Sequence, residues 1–209
     1  TLLLRGGTRG EALSADLVVF ETAARADKRE PVFLPPLNSR HNIDTFEPTE
    51  ARFIRFTIAA TNSTAEPCLD ELEVFSGGQN VALASLGTRS TCSSSLPGYA
   101  IHKLQHINDG KYGNGRSWIS NEKGGGWVQI ELAEPALVDR IEWGRDREGR
   151  FSDRLATGYR IEAGLEESKL RLVSSSRGRA GGAIFKTPAP QFSFISDAGK
   201  KTLVALKLS

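Results

Sequence analysis

The sequence predicts an all-β protein built as an antiparallel sandwich, and three observations support that prediction. The 209 residues include 21 glycines and 9 prolines, which favour turns over long regular elements. Within residues 127–132, apolar and polar side chains alternate from Val128 onward, as they do in a strand when one of its faces is buried. Other short strand-like runs follow turn residues at similar spacing, which is typical of a sandwich.

The strands can be placed in order along the chain. Residues 47–58 predict a strand with Ile54, Phe56 and Ile58 on the core side, because side chains two residues apart share a face. Asp109-Gly110 predicts a tight turn, since glycine accepts a positive φ. Further strands are predicted at residues 69–75, 127–132, 136–143, 158–163 and 169–176, with a turn at residues 76–79. Trp127 and Trp143 lie in these strand patterns, so we expect both in the core.

The chain divides into three predicted regions. Residues 45–178 are expected to form the sandwich, residues 1–44 an N-terminal extension that could add a pair of strands, and residues 179–209 C-terminal strands. The candidate strands outside the sandwich are residues 16–21, 31–36, 183–185, 191–195 and 202–208. The run at 31–36 is interrupted by prolines, which cannot donate to a ladder, so it could only be an edge strand.

Charge and composition argue against several classes of partner. The net charge of +2 gives no strong field for nucleic acid or an anionic membrane, and no apolar run has the length that spans a bilayer. The chain begins with threonine and contains no methionine, so we expect a piece of a longer protein. Cys68 and Cys92 leave two alternatives open, a disulfide worth about 3 kcal/mol or two separate thiols.

Several motifs follow one another along the chain at residues 80–85, 93–95, 108–110, Trp118, 127–132 and 159–162. Taken in this order, they resemble the discoidin family, which comprises coagulation factor 5/8 type C modules and the related family 32 carbohydrate-binding modules. The resemblance implies a galactose-binding-like jelly roll that binds glycans without catalysing a reaction. It also extends to modules of very large bacterial proteins that contain cytochrome c-type domains, which implies a periplasmic, cell-surface or secreted location.

The order of the strands differs from that of the family. Residues 51–56, which carry arginines, and residues 70–74 resemble the end of a discoidin module, yet here they precede the segment that resembles its beginning. Residues 169–176 resemble the strand that usually comes before the arginine-bearing one. Two explanations stay open: a circular permutation in which residues 76–79 join the old ends, which we prefer, or the tail of one module followed by the head of another.

The resemblance also implies a structural calcium ion between the loop after the family's first strand and its last strand. Calcium takes about 6–8 oxygen ligands. The ligands implied here are the carboxylates of Asp109 and Glu71, the carbonyls of Asp70, His106 and Lys111, and the hydroxyl of Ser117, which Asn114 could replace because the loop is long. The alternative is a plain Asp-Gly turn that holds no ion.

An arginine-rich loop at residues 143–154 is the second candidate site. Its arginines alternate with acidic residues, which argues against a phosphate-binding track and leaves a solvated, salt-bridged loop as the plain alternative. The planar donors of arginine can also bind sugar hydroxyls. Related sugar-binding modules use an arginine, an asparagine, a histidine and an aromatic residue, and the candidate equivalents here are His102, Trp118, Asn121, Arg145, Arg147, Phe151 and Arg154.

Catalytic chemistry finds little support in the sequence. His102 and His106 have the i, i+4 spacing of a zinc pair, but no third ligand with convincing spacing accompanies them. Neither a nucleophile elbow nor a pair of glycosidase carboxylates is recognisable, so we expect no enzyme. The main prediction is a glycan-binding module of a larger extracytoplasmic protein. The alternative is an architectural module that packs against other domains of its parent and binds no sugar.

Overall fold

Strands make up most of the regular structure in the computed structural model, which describes residues 34–177 and residue 179. Within these residues there are nine strands and four single 3₁₀ turns, so the all-β prediction is confirmed. The candidate strands at residues 16–21, 183–185, 191–195 and 202–208 lie outside the described residues. The strands are β1 Asn42–Thr61, β2 Cys68–Leu69, β3 Glu71–Ser76, β4 Gln79–Asn80, β5 Arg89–Cys92, β6 Trp118–Ile119, β7 Gly126–Gly144, β8 Ala156–Gly164 and β9 Arg171–Ser175.

β1 and β7 form a long antiparallel ribbon to which the other strands add. β8, followed by β9, pairs with the second half of β1, and β5 pairs with the first half of β7. β3, followed by β4, pairs with the second half of β7. The register of the ribbon is interrupted between Thr45 and Thr49 and between Ala51 and Phe53. A separate two-stranded sheet joins β2 to β6.

The ribbon folds back on itself, and this produces the two layers of a sandwich. Phe56 pairs with Val128 in β7, and Trp143 lies 15 residues further along β7, which would be about 50 Å away in a straight strand. The ring centroids of Phe56 and Trp143 are nevertheless 5.1 Å apart. The register interruptions in β1 explain the fold, because β-bulges bend a strand sharply. Pro135 lies at the corresponding place in β7.

The two faces of β1 have different surroundings. Ile54, Phe56 and Ile58 are buried between the layers, so their predicted placement on the core side is confirmed. Trp127, which we expected in the core, instead lies on the outer face and is only half-buried. There the guanidinium of Arg55 lies 4.7 Å from the centre of its ring, an arrangement that shields the ring and satisfies the cation.

Asp44 connects the layers through its carboxylate, although it is completely buried. It accepts hydrogen bonds from Trp143 Nε1 at 2.9 Å, Tyr159 Oη at 2.9 Å and Ser174 Oγ at 2.6 Å. Arg179 Nη2 completes the set with an ion pair at 3.0 Å. A buried charge is costly unless it is paired and hydrogen-bonded. The four donors, which come from β7, β8, β9 and the chain after β9, meet that requirement for Asp44.

The sandwich extends past both of the predicted boundaries, which were residues 45 and 178. β1 begins at Asn42, so Asp44 belongs to the sandwich. The side chain of Arg179 is fully buried and also donates to the carbonyl of Pro35 at 2.8 Å. A single aspartate and a single arginine so far apart in the chain carry no local pattern, which explains why the sequence did not show their pairing.

The strands on both sides of residues 76–79 belong to the same sheet. In that sheet β3, β7, β1 and β8 are consecutive neighbours. Gly77 and Gly78 both have positive φ, as the short link between β3 and β4 requires. The early and late segments therefore complete one body rather than two half-modules, and the circular permutation relative to the discoidin family stays a prediction.

Replacing Arg179 with alanine should strongly destabilise the sandwich, because it leaves the buried carboxylate of Asp44 without its cation. We expect the free energy of unfolding to fall by about 3–5 kcal/mol, measured by urea denaturation. Arg177→Ala is the matched control, because Arg177 is exposed and its loss should change stability by less than about 0.5 kcal/mol. Equal stability of the two variants would contradict the role assigned to the Asp44–Arg179 pair.

Candidate functional site

Three loops meet at one end of the sandwich and hold most of the candidate site residues. Asn62 Nδ2 donates to the carbonyl of Ser152 at 2.8 Å, which joins the first loop to the third. Arg145 Nη1 donates to Asn114 Oδ1 at 2.8 Å, which joins the third loop to the second. We call this surface the loop end, and its loops are residues 62–67, 93–117 and 145–155.

Asp146 fixes the shape of the arginine-rich loop from the inside. It is completely buried, and its carboxylate accepts the backbone N–H groups of Arg150 at 2.9 Å and Phe151 at 2.8 Å. It also accepts the N–H of Asn114 from the neighbouring loop at 3.1 Å. Sequence reasoning missed this role, although Asp146 and Gly149 have the spacing of a turn that begins with aspartate and ends with glycine.

Asp70, which lies between β2 and β3, performs a similar role for the neighbouring loops. It is completely buried, and Oδ2 accepts the N–H groups of Gly113 at 3.0 Å and Arg147 at 2.6 Å. Burial raises the pKa of Asp70 above its ordinary value, although these two N–H donors oppose the change. Gly113 has a φ of 95°, and a Cβ there would lie 2.5 Å from the side chain of Glu148. The Gly113 position therefore requires glycine.

Arg145 is a buried connector at the base of the loop end. Its Nη2 and Nε donate to the side chain and the carbonyl of Asp153 at 2.9 and 2.8 Å, and Nη1 reaches Asn114. The guanidinium lies 5.1 Å from the ring centre of Phe151. These contacts use all three nitrogens of the group, so the structure gives Arg145 the task of positioning Asn114 and Phe151.

His102 is connected to Asn114 through the hydroxyl of Ser117. Its Nδ1 lies 2.8 Å from Ser117 Oγ, and Ser117 Oγ also donates to the carbonyl of Asn114 at 2.9 Å. Burial first, and then the charges of Arg145 and Arg154, lower the pKa of His102. The imidazole is therefore neutral near pH 7, so one of its ring nitrogens donates a hydrogen bond and the other accepts one.

The structure brings some of the predicted ligand residues together and separates others. His102, Arg145 and Phe151 belong to one chain of contacts that passes through Asn114 and Ser117. The ring of Phe151 is 46% exposed. Trp118 is completely buried and donates from Nε1 to the carbonyl of Ser94 at 3.0 Å, so it is a core residue.

The remaining predicted ligand residues lie at or near the loop end with contacts of their own. Asn121 is exposed, and its backbone N–H donates to Ser94 Oγ at 3.0 Å. Arg147 lies over the ring of Tyr112 at 4.5 Å and pairs with Glu73 at 2.6 Å. Arg154 pairs with Glu66 at 2.6 Å.

Glu71 and Asp109, the two carboxylates of the implied calcium site, do approach each other. Glu71 Oε1 accepts the N–H of Gly110 at 2.9 Å, and Glu71 Oε2 is buried without a hydrogen-bond partner among the described residues. Burial raises the pKa of Glu71 to about 8, and the charges of Asp109 and Glu73 act in the same direction. Asp109 accepts the N–H of Lys111 at 2.9 Å and contacts the guanidinium of Arg116.

The side-chain ligands implied besides these two carboxylates are engaged elsewhere. The Ser117 hydroxyl contacts His102, and the Asn114 amide oxygen contacts Arg145. The remaining implied ligands are the backbone carbonyls of Asp70, His106 and Lys111. His106 is buried, with Nδ1 3.1 Å from the carbonyl of Ile101. Within the described part of the chain, no group of three or more His, Cys, Asp or Glu side chains could hold a metal ion.

The two cysteines are separate thiols. Cys68 is buried, and its Sγ donates to the carbonyl of Arg145 at 3.8 Å. Burial raises its pKa to about 11, so the thiol is protonated and unreactive at neutral pH. Cys92 Sγ lies 3.4 Å from Ser95 Oγ.

No family model, curated protein or solved structure matches the chain. None of the helical turns in residues 34–177 has the length and apolarity needed to cross a membrane.

The raised pKa of Glu71 predicts a pH dependence of stability. Between its ordinary value of 4.5 and about 8, the folded protein holds a proton that the unfolded chain has released, so the free energy of unfolding should fall as the pH rises. Glu71→Gln should remove most of this slope in urea denaturation at pH 5 to 8 in the presence of EDTA. A variant with the wild-type slope would show that another group carries the titration.

Proposed function

We propose that the loop end binds a glycan and that the protein is a non-catalytic carbohydrate-binding module. The observation that carries the proposal is the exposed ring of Phe151, held against Arg145, which also holds Asn114. An aromatic ring can cover the apolar face of a sugar, while nearby polar groups fix its orientation. The polar groups at this surface are already held by hydrogen bonds, so binding would cost little ordering.

The expected affinity is low. The proposed surface is an exposed aromatic ring with polar groups around it rather than an enclosed pocket. Contacts to sugar hydroxyls there replace contacts that water makes equally well. We therefore expect dissociation constants of about mM to μM, or roughly −4 to −8 kcal/mol per site. A module of this affinity serves to keep a larger protein near a polysaccharide, which agrees with the proposed place in a multidomain extracytoplasmic bacterial protein. That setting rests on the discoidin-like motifs alone.

An architectural role is the second proposal, and a different surface favours it. A groove of about 460 Å³ is lined by Pro48, Glu50, Leu165 and neighbouring residues. Leu165, Leu137, which pairs with Glu50, and Leu172 all expose about half or more of their surface. Exposed apolar side chains around a groove are typical of a surface that packs against another domain.

Phe151→Ala should abolish most glycan binding without unfolding the protein, because the ring is exposed and its loss leaves no internal cavity. We expect at least a tenfold weaker retention in affinity gels that contain the polysaccharide bound best by the wild type. Leu165→Ala, which removes an exposed side chain from the groove, is the matched control and should bind normally. If the wild type bound neither neutral nor acidic glycans, the architectural role would be favoured.

We also propose a structural calcium ion between Glu71 and the Asp109–Gly110 turn. The support is the buried, unpartnered Oε2 of Glu71 close to a second carboxylate, since carboxylate oxygens are preferred calcium ligands. A bound ion would add stability to the folded state by mass action. Arg116 already contacts Asp109 and would compete with the ion for that carboxylate.

Chelation should therefore lower the melting temperature, and Asp109→Ala should remove the sensitivity to chelator. Arg116→Gln gives a sharper test, because it deletes the competing cation and should let calcium raise the melting temperature at lower concentration than in the wild type. Lys103→Gln is a suitable control for the loss of one exposed positive charge nearby. If neither calcium nor EDTA changed the melting temperature of the wild type or of Arg116→Gln, the proposed calcium ion would be contradicted.

A further inference from the structure

Asn114 and Gly115 form a dipeptide that can modify itself chemically. Asn114 is the one asparagine of the sequence that precedes a glycine. The side-chain amide carbon of an asparagine can be attacked by the backbone nitrogen of the next residue, and glycine has no Cβ to obstruct that approach. Asparagine is accordingly among the thermolabile residues of proteins. The dipeptide is therefore a candidate site of deamidation.

The reaction needs only base and water. The backbone nitrogen of Gly115 gives up its proton and forms a bond to Cγ of Asn114, while the Cγ–Nδ2 bond breaks and Nδ2 leaves with that proton as ammonia. Water then opens the resulting succinimide at one of its two carbonyls. One opening gives aspartate. The other gives isoaspartate, in which the main chain runs through the former side chain and is one methylene longer.

The reacting groups of Asn114 and Gly115 are accessible. Gly115 is exposed, and its N–H has no hydrogen-bond acceptor among the described residues. Asn114 Nδ2, the leaving group, has no acceptor among them and is not one of their buried, unpartnered atoms. Arg145 Nη1 donates to Asn114 Oδ1 at 2.8 Å. Negative charge develops on this oxygen during the attack, and a charged donor stabilises it.

The backbone of Asn114, in contrast, is held in a conformation that prevents the attack. Asn114 begins the 3₁₀ turn Asn114–Arg116. Closing the succinimide ring requires rotation about the Cα–C bond of Asn114, which moves its carbonyl. That carbonyl accepts a hydrogen bond from Ser117 Oγ at 2.9 Å, and the N–H of Asn114 donates to Asp146 Oδ1 at 3.1 Å. Because Ser117 and Asp146 are buried, the reaction has to wait until this part of the loop opens.

We propose that Asn114–Gly115 is a deamidation site that the folded loop end protects and that reacts only when the loop opens. Reaction through an open state follows the population of that state when opening and closing are fast. The change is irreversible, and isoaspartate lengthens the main chain between the bonds to Asp146 and Ser117. The extent of conversion therefore reports how often the loop end has opened. This inference does not depend on the proposed glycan binding.

Peptide mass mapping can measure the conversion of two asparagines separately. Trypsin cleaves after lysine and arginine, so Asn114 lies in the peptide of residues 112–116 and Asn121 in that of residues 117–123. The wild type is incubated at pH 8 and 37 °C in buffer or in urea and is then digested at mildly acidic pH. In urea, Asn114 should convert at least tenfold faster than Asn121, which precedes a glutamate. In buffer, Asn114 should convert at least tenfold more slowly than in urea.

Two variants separate the chemistry from the protection. Gly115→Ala should fold as the wild type does, because Gly115 does not have a positive φ and a Cβ there meets nothing within 4 Å. Its added methyl group should nevertheless slow conversion in urea at least tenfold. Ser117→Ala removes the bond to the Asn114 carbonyl and should speed conversion in buffer several-fold. Ser95→Ala is the matched control, because the Ser95 hydroxyl contacts Trp118 and Cys92 in place of Asn114, and it should keep the wild-type rate.

The comparison of buffer with urea uses the wild type alone and so does not depend on how a variant folds. Equal rates of Asn114 conversion in buffer and in urea would overturn the protection, as would a folded Ser117→Ala that reacts no faster than Ser95→Ala. Conversion of Asn114 in urea that is no faster than that of Asn121, or that Gly115→Ala leaves unchanged, would overturn the site itself.

Discussion

The buried charge of Asp44 is the constraint on which the architecture depends. A carboxylate can remain ionised inside a protein only if donors surround it, and here the donors come from Trp143, Tyr159, Ser174 and Arg179. These residues lie on different strands of the folded ribbon or beyond its last strand. All four donors must therefore be in place together for the Asp44 carboxylate to be satisfied. This requirement ties the two layers and the end of the sandwich into one unit.

The loop end repeats the same device on a smaller scale. Asp70 and Asp146 are buried carboxylates whose partners are mainly backbone N–H groups of the surrounding loops. Such bonds are strong because the acceptor is charged, and they do not depend on the side chains that the loops present to solvent. Buried aspartates and Arg145 thus set the shape of the loops, and exposed groups such as Phe151 are the ones assigned to the ligand in the proposed function.

The sequence predicted the elements better than it predicted the roles of single charged residues. The burial of Ile54, Phe56 and Ile58 followed from their spacing, because alternation in a strand is a local property. Trp127 was expected in the core because it lies in a strand, but it shares its face of β7 with Gln129 and Glu131, and Arg55 covers its ring there. For the arginine-rich loop a salt-bridged surface was only the plain alternative, and the different roles of its arginines depend on which acidic residues fold against them.

By itself, the sequence determined the all-β class, the turn glycines and the strands that face the core, because these depend on neighbours a few residues apart. Only the tertiary structure decided that the ribbon folds back, that Asp44 meets Arg179, and that Asn114 is fixed between Arg145, Asp146 and Ser117. Pairings of this kind join residues that are distant in the chain, and each depends on burial and charge that no local pattern records.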